Sequence, residues 1–204
     1  MRQKPLLLVD IDGVISLFGF AGHSHSSSYD LGLDLDLGRS PWAEHPGTTE
    51  RVYATVDGIP HVLSRVAAGH LCSLADEFDL VWASGWEEKA EEYLPRLLEL
   101  PAGLPFLEFE RARGADRSRD GHWKLEAIEA YAGTRALAWI DDAFNDACHS
   151  WASARLAPTL LVQTAPAHGL TSAEAQQLTT WAQSLAPAPA GGADSHPPRA
   201  IPHR

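Results

Sequence analysis

Residues 6–14 constrain the fold more than any other part of this 204-residue sequence. An unbroken apolar run from Leu6 to Val9 is followed at once by Asp10, an isoleucine, Asp12 and Gly13. A run that stops at two acidic residues and a glycine predicts a fully buried parallel strand with a polar site at its carboxyl end. Open α/β sheets bind their ligands at this edge. We therefore expect the chemistry of the protein to lie where the first strand stops.

The two acidic residues predict a cation. Residues two apart on a strand point the same way, so Asp10 and Asp12 are expected side by side. Like charges this close raise each other's pKa unless a cation neutralises them, and oxygen-rich sites suit Mg²⁺. Gly13 lets the chain turn sharply and brings backbone amides towards an anion. The alternative is an ordinary strand that ends in a solvated Asp-x-Asp-Gly turn.

Composition favours one soluble domain with a sizeable core. The chain has 27 acidic and 16 basic residues and a net charge of -11, which argues against a broad surface for nucleic acid or anionic membrane. A local basic pocket is compatible with this balance. The first 15 residues contain too short an apolar run to span a bilayer, so we expect a cytoplasmic protein. Cys72 and Cys148 lack metal-type spacing and are expected to be buried thiols in a reducing compartment.

An insertion of about residues 16–61 follows the first strand and lacks clear periodicity. Long loops at such positions are often functional lids, so we expect this one to cover the site. Within it, the segments 51–55 and 59–62 flank Asp57-Gly58, which predicts a β-hairpin and hence a small β-flap. His23 and His25 have no further ligand at metal spacing and indicate a solvated loop. Residues 31–37 alternate apolar and acidic side chains, as a half-exposed strand does.

Strands and helices alternate through the rest of the chain. Strands are predicted at 80–83, 106–109, 136–140 and 160–162, and helices at 62–78, from 87 with a kink or split at Pro95, at 125–131, at 143–151 and from a capping box at Thr171 and Glu174. Residues 110–120 are expected to form a loop and the Pro- and Ala-rich tail from 186 to be disordered. The prediction is an α/β domain over 1–185, with a doubly wound, mostly parallel, five-strand Rossmann-like sheet.

Polar residues follow the predicted strands in a particular order. Asp10 and Asp12 follow the first strand, Ser84 the second, and Lys124 opens the helix before the strand that ends in Asp141-Asp142. This set resembles the four signature motifs of the haloacid dehalogenase (HAD) superfamily, in their usual order, over roughly residues 6–185. The resemblance implies a hydrolase fold with a phosphatase site.

The resemblance also implies a role for each residue. Asp10 would be the nucleophile that forms an aspartyl-phosphate, and Asp12 the general acid and base, whose backbone carbonyl also binds the metal. Ser84 would hold a phosphoryl oxygen, and Lys124 would steady the nucleophile and the phosphate. Asp141 would be a Mg²⁺ ligand beside Asp10. The activity expected is a Mg²⁺-dependent phosphomonoesterase.

Further contacts are expected around this set. Asp142 would be a second metal ligand or hold a water, and the sequence does not decide between Asp141, Asp142 and Asp146 as ligands. Substrate-binding contacts are expected from Gly13, Val14, Gly85 and Trp86.

The chemistry makes the same demands without the family name. Phosphoryl transfer needs positioned cations, which Mg²⁺ and Lys124 would supply, and a carboxylate can attack once its charge is screened. Each residue also has a simpler interpretation: Ser84 or Asp141-Asp142 as helix caps, Lys124 as a surface lysine and Asp146 on a solvated helix face. Helix caps would not be expected to follow this order across successive strand ends, so the enzymatic interpretation is favoured.

The substrate is a phosphorylated molecule of unspecified size. No large cap domain is evident, which leaves recognition to the flap, to Trp86 and to Trp42 or His45. A sparsely capped site often accepts large substrates such as the phosphorylated ends of nucleic acids, although the acidic balance points elsewhere. The segment 81–87 is similar to HAD-like domains attached to bacterial nucleic-acid repair proteins. Trp86 and Trp123 are candidates for stacking on a base, against the more frequent use of tryptophan in packing.

Two other classes of function compete with the phosphatase. A response-regulator receiver also has acidic residues, a Ser or Thr and a Lys on a parallel sheet, but its phosphoacceptor follows strand three, where this sequence has no clear aspartate. A non-catalytic HAD-like binding domain is disfavoured because every catalytic residue type is present. The sequence predicts neither the natural substrate nor the oligomeric state.

Overall fold

The computed structural model describes residues 3–19, 50–109 and 122–185. These residues form twelve elements: β1 (Leu6–Val9), β2 (Ser16–Leu17), β3 (Arg51–Val56), β4 (Ile59–Ser64), α1 (Arg65–Leu74), β5 (Asp79–Trp82), α2 (Glu88–Leu98), α3 (Leu125–Ala132), β6 (Leu137–Asp141), α4 (Asp146–Ala154), β7 (Thr159–Gln163) and α5 (Ser172–Ser184). The expectations for residues 23–25, 31–37, 42, 45, 110–120 and 186–204 lie outside the described residues.

A parallel sheet of four strands, in the order β5-β1-β6-β7, lies at the centre of the fold. Val9 of β1 lies opposite Trp82 on one side and Ile140 on the other, so the three strands end level with one another. Residues that follow these strands are thereby brought to one edge. Every residue of β1 and β6 is buried, as the continuous apolar runs predict for strands covered on both faces.

Alternate residues of β1 face two separate cores. Leu7 and Val9 pack in a cluster to which α1, α2 and α5 contribute, whereas Leu6 and Leu8 pack in a second cluster with residues of α3 and α4. Helices therefore cover both faces of the sheet, which confirms the predicted α/β fold with a mostly parallel sheet and is compatible with a Rossmann-like arrangement.

The prediction of five strands is not confirmed, because the segment expected at 106–109 pairs at a single residue. Phe106 forms one parallel bridge with Trp82. The Trp82 amide donates to the Pro105 carbonyl at 2.9 Å, and the Leu107 amide donates to the Trp82 carbonyl at 2.8 Å. Pro105 has no N–H to extend the ladder. The edge of the sheet beside β5 therefore carries a bridge in place of a strand.

The insertion contributes a small antiparallel sheet in the order β2-β4-β3. Asp57 and Gly58 join β3 to β4 with positive φ angles of 49° and 81°, the conformation of a type I′ hairpin turn. The predicted hairpin is confirmed. Strand β2, which pairs with β4, was not predicted. Ser16 and Leu17 are too few to show a periodic pattern, and the strand that pairs with them lies 45 residues further along the chain.

The helix predicted from residue 62 begins later, at Arg65. Residues 59–64 belong to β4, and the Ser64 hydroxyl accepts a hydrogen bond from the Ala67 amide at 3.1 Å and so caps α1. The predicted capping box of α5, at Thr171 and Glu174, is present. The helical spacing of apolar residues across 62–78 thus did not indicate that the strand continues to Ser64 and that the helix begins at Arg65.

Three smaller predictions concern Pro95, the two cysteines and helices that could span a membrane. Pro95 lies inside α2 and does not split it. Cys148 is buried as predicted, but Cys72 is exposed, since it lies on the solvent side of α1. In the part of the chain that is described, no helix has the length and apolar character needed to cross a bilayer.

Candidate active site

The carboxyl edge of the parallel sheet gathers the predicted residues. Asp10 follows β1 directly, Ser84 lies two residues after β5, and Asp141 is the last residue of β6. Lys124 directly precedes α3 and reaches the same edge. Sheet topology therefore places residues that are more than a hundred positions apart around one point.

Lys124 connects the two acidic residues that end the neighbouring strands. Its Nζ lies 2.8 Å from Asp10 Oδ2 and 2.7 Å from Asp141 Oδ2. All three side chains are buried, and Lys124 is only 3% exposed, which rules out the surface-lysine interpretation. We call Asp10, Lys124 and Asp141 the charged centre. One positive and two negative charges that lie together in a buried site interact strongly, because little solvent screens them.

Burial raises the pKa of Asp10 to about 6. The negative charge of Asp141 acts in the same direction, while Lys124 opposes both by stabilising the carboxylate. The Ile11 amide also donates to Asp10 Oδ1 at 2.8 Å. Asp10 is thus a buried carboxylate held in position through both oxygens.

Asp141 is held by two contacts besides Lys124. Trp139 Nε1 donates to Oδ2 at 3.1 Å, and the Ala143 amide donates to Oδ1 at 3.0 Å. Trp139 was not predicted as a site residue, although it lies two residues before Asp141 on the same strand and so faces the same side. Asp141 does not cap α4, because Asn145 does so by accepting from the Cys148 amide.

Asp142 packs directly against the turn that follows β1. A Cβ atom placed on Gly13 would lie 2.5 Å from the Cβ of Asp142, and Gly13 has a positive φ of 73°. Only glycine meets both requirements. Burial raises the pKa of Asp142, and the charge of Asp141 raises it further. Thr164 fixes the turn from the other side by donating its hydroxyl to the Gly13 carbonyl at 2.8 Å, a contact that the sequence analysis missed.

Asp10, Asp141 and Asp142 suit a divalent cation. Each offers an oxygen, and these oxygens lie within 4.8 Å of one another. Three carboxylates face one lysine. Burial, and after it the charge of Asp141, raises the pKa of Asp10 and of Asp142, and a cation would stabilise their charged forms. Carboxylate oxygens are the ligands that Mg²⁺ prefers, with water or substrate oxygens in the remaining positions. Asp146 is exposed on α4 and does not belong to this group.

The amides of Gly13 and Val14 were predicted to bind substrate, but both already donate within the turn. The Gly13 amide donates to the Ser16 carbonyl at 2.7 Å, and the Val14 amide donates to the Ile11 carbonyl at 3.2 Å. The turn closes on itself here, because Asp12 and Ser16 form a bridge. Both amides thus have partners within the turn, and a role for Gly13 and Val14 in binding substrate stays a prediction.

Asp12 makes a different contact from the residues of the charged centre. Strand β1 ends at Val9, so the alternation that was expected to place Asp12 beside Asp10 does not reach either residue. Asp12 is exposed and accepts a hydrogen bond from Trp86 Nε1 at 3.1 Å. Trp86 is itself 9% exposed and meets the ring of His61 edge-on at 4.7 Å. We call Asp12, Trp86 and His61 the rim.

His61 joins the rim to the antiparallel sheet. It lies on β4, and its Nδ1 and the Ser16 hydroxyl are 2.9 Å apart. Burial lowers the pKa of His61, and the nearby charge of Asp12 acts in the opposite direction. Trp86 was considered as a base-stacking residue, but its buried ring and its bond to Asp12 give it a packing and orienting position.

Ser84 and Gly85 follow β5, and Gly85 lies close to an exposed aromatic residue. Ser84 is 1% exposed, and it is not the cap of α2, since Glu87 occupies that position. A Cβ atom on Gly85 would lie 3.6 Å from Cη2 of Trp123. Trp123 is 55% exposed, and the centroid of its ring is 5.1 Å from Lys124 Nζ.

A family model described as "HAD domain in Swiss Army Knife RNA repair proteins" matches residues 6–175. The match spans the charged centre, the rim and both sheets. Neither the curated proteins nor the solved structures include a significant match to the chain.

Proposed function

Because the chain belongs to the family of HAD domains found in Swiss Army Knife RNA repair proteins, we propose that it is a Mg²⁺-dependent phosphomonoesterase that works through an aspartyl-phosphate on Asp10. The observation that carries this proposal is the buried contact of Lys124 with both Asp10 and Asp141. A positive charge beside a buried carboxylate suits a reaction in which that carboxylate meets a phosphate dianion. Without such screening, two anions would repel each other at the moment of attack.

In the first half-reaction, a carboxylate oxygen of Asp10 attacks phosphorus in line with the leaving oxygen. The new P–O bond to Asp10 forms while the bond to the leaving oxygen breaks, and Asp12 gives its proton to that oxygen. In this proposal Lys124 stabilises the charge on the phosphoryl oxygens, and Ser84 donates its hydroxyl to one of them. The alcohol then leaves the site.

In the second half-reaction, water hydrolyses the aspartyl-phosphate. Asp12, now a carboxylate, takes a proton from the water molecule while the oxygen of that water attacks phosphorus. The bond between phosphorus and the Asp10 oxygen breaks. Phosphate and the free Asp10 carboxylate result. The exposure of Asp12 supports this role, because the group must reach both the leaving alcohol and the incoming water. A divalent cation held by Asp10, Asp141 and Asp142 would supply further charge neutralisation on the phosphoryl group.

The test is phosphate release from 4-nitrophenyl phosphate by the purified chain, with and without Mg²⁺. We expect Mg²⁺-dependent turnover and a loss of at least about a thousandfold in kcat for Asp10→Asn, since the nucleophile is removed while its shape is kept. Asp146→Asn, an exposed change on α4, is the matched control and should turn over normally. Undiminished turnover by Asp10→Asn would remove the nucleophile assignment.

The two other classes give different results in the same assay. A non-catalytic binding domain would release no phosphate from any substrate. A receiver-like phosphoacceptor would take up phosphate from a small phosphodonor and retain it without turnover. The family is named for RNA repair proteins, which supports phosphorylated RNA as the substrate class to test first.

A further inference from the structure

Trp123 is a large aromatic side chain at the border of the charged centre. It is 55% exposed, although its neighbour Lys124 is buried. A single exposed apolar residue is ordinary on a protein surface and is not by itself a site. What distinguishes Trp123 is that its ring is held in place and lies close to the proposed phosphoryl position.

Two aromatic neighbours and a glycine orient the indole of Trp123. The ring of Phe109 meets it edge-on at 4.6 Å between centroids, and the ring of His122 lies nearly parallel to it at 6.2 Å. Phe109 is itself buried, so the contact anchors Trp123 to the core. The indole also packs beside Gly85, where a Cβ atom would lie in ordinary van der Waals contact with Cη2 at 3.6 Å.

Lys124 relates this ring to the charged centre. Its Nζ lies 5.1 Å from the Trp123 centroid and 2.8 Å from Asp10 Oδ2. A phosphate placed at Asp10 therefore has an exposed indole within the reach of one sugar. In a nucleotide, the sugar links the phosphate to a flat aromatic base, and indole rings bind bases by stacking. Sugar or lipid phosphates offer no aromatic face to this position.

We propose that Trp123 is the base-stacking residue of a nucleotide subsite beside the charged centre. The proposal rests on the phosphatase function above and adds its substrate class, a nucleoside monophosphate that is either free or the terminal nucleotide of RNA. Stacking tolerates any base, so this subsite would recognise a nucleotide without reading its sequence.

The test uses pairs of substrates that differ only by the base. The first pair is adenosine 5′-monophosphate and ribose 5-phosphate, and the second is a 5′-phosphorylated oligoribonucleotide with a normal or an abasic terminal nucleotide. We expect wild-type protein to prefer the member with the base, and Trp123→Ala to lower this preference in kcat/KM by about tenfold. Trp123→Phe, which keeps an aromatic face, should retain most of it.

Tyr131→Ala is the matched control, since Tyr131 is an aromatic residue of α3 that is 43% exposed. It should leave the preference unchanged. A loss confined to the oligonucleotide pair would identify the RNA end as the source of the nucleotide, and a loss in both pairs would include free nucleotides. An unchanged preference in Trp123→Ala, or no preference in the wild-type protein for either pair, would overturn the proposal.

A binding measurement separates this proposal from the proposed function. Calorimetry of Asp10→Asn and of the double variant Asp10→Asn/Trp123→Ala gives the affinity for each substrate without turnover. If the wild-type protein released phosphate from none of the substrates, the phosphatase would be wrong. A roughly tenfold loss of affinity for the base-containing substrate in the double variant would still support the subsite, and equal affinities would overturn it.

Discussion

The charged centre and the rim differ in how they are built. Asp10, Lys124 and Asp141 are buried, follow strands of one sheet or precede a helix, and hold one another by contacts of 2.7–2.8 Å. In the rim, Asp12 is exposed and depends on one hydrogen bond of 3.1 Å from Trp86. The centre is thus fixed by the main fold, whereas the rim is fixed by the insertion and the loop after β5. The buried charges of the centre are therefore screened little by solvent, whereas Asp12, the proposed proton donor, is accessible to it.

Removal of the lysine should have the largest effect on this contrast. Lys124→Met leaves Asp10 and Asp141 buried without their cation, and breaking a buried ion pair from one side costs about 3–5 kcal/mol. We expect the free energy of unfolding, measured by urea denaturation without metal at neutral pH, to fall by that amount. Lys89→Met, which breaks an exposed ion pair with Asp57 on the hairpin, should leave the free energy of unfolding almost unchanged.

The pH dependence sharpens the same prediction. The pKa of Asp10 in the folded protein, about 6, exceeds its ordinary value of 3.8, so the folded state binds this proton more tightly than the unfolded state. Asp10 therefore destabilises the metal-free protein progressively as the pH rises from about 4 to about 6. Lys124 lowers the folded-state pKa, so Lys124→Met should extend the upper end of this window to higher pH, while the lower end, set by the unfolded chain, stays in place. A destabilisation equal at pH 5 and pH 8 would contradict this account of the centre.

The next largest effect is expected at Asp141, and it distinguishes Asp141 as a metal ligand from other acidic residues near it. Asp141→Asn removes a carboxylate from the group of three and directs an amide at donors such as Lys124 and Trp139. We expect the Mg²⁺ concentration for half-maximal activity to rise at least about tenfold. Asp146→Asn is the control. Asp146 does not belong to this group, so the Mg²⁺ concentration for half-maximal activity should stay the same. An unchanged Mg²⁺ titration for Asp141→Asn would count against metal binding there.

The sequence predicted the charged centre better than the rim for a physical reason. Asp10, Ser84 and Asp141 follow continuous apolar runs, and parallel strands bring their carboxyl ends to one edge whatever the loops do. The bond from Trp86 to Asp12 depends instead on how a loop packs against a turn, which leaves no periodic signal. The contact of Thr164 with the Gly13 carbonyl is equally invisible, since it joins positions 151 residues apart.

The same reasoning explains the fold. The runs in β1 and β6 are buried on both faces and were found, because burial leaves a continuous apolar pattern. The segment around Phe106 has an apolar pattern too, but Pro105 removes a donor and pairing stops after one bridge. Ser16 and Leu17 become a strand only because β4 lies beside them. Local pattern thus predicts the strands that the core buries. It fails where a proline interrupts pairing and where a two-residue strand depends on a distant partner.

The smallest expected effect tests whether the rim has a function of its own. Trp86→Phe keeps an aromatic ring against His61 but removes the indole N–H that donates to Asp12. If that bond orients Asp12 as the general acid, kcat/KM for glycerol phosphate, whose leaving group needs a proton, should fall by about tenfold. The ratio of this value to kcat/KM for 4-nitrophenyl phosphate should fall with it, because nitrophenolate needs little protonation to leave.

The choice of kcat/KM matters, because this quantity reports only the steps up to the formation of the aspartyl-phosphate, and Asp12 also acts in the second half-reaction. Trp151→Phe is the matched control, since it removes an indole N–H that donates to Glu129 at 2.9 Å, far along the chain from the rim. That variant should leave the ratio unchanged. Equal losses for both substrates in Trp86→Phe would mean that Trp86 contributes packing alone, and the rim would then differ from the charged centre in exposure but not in chemical role.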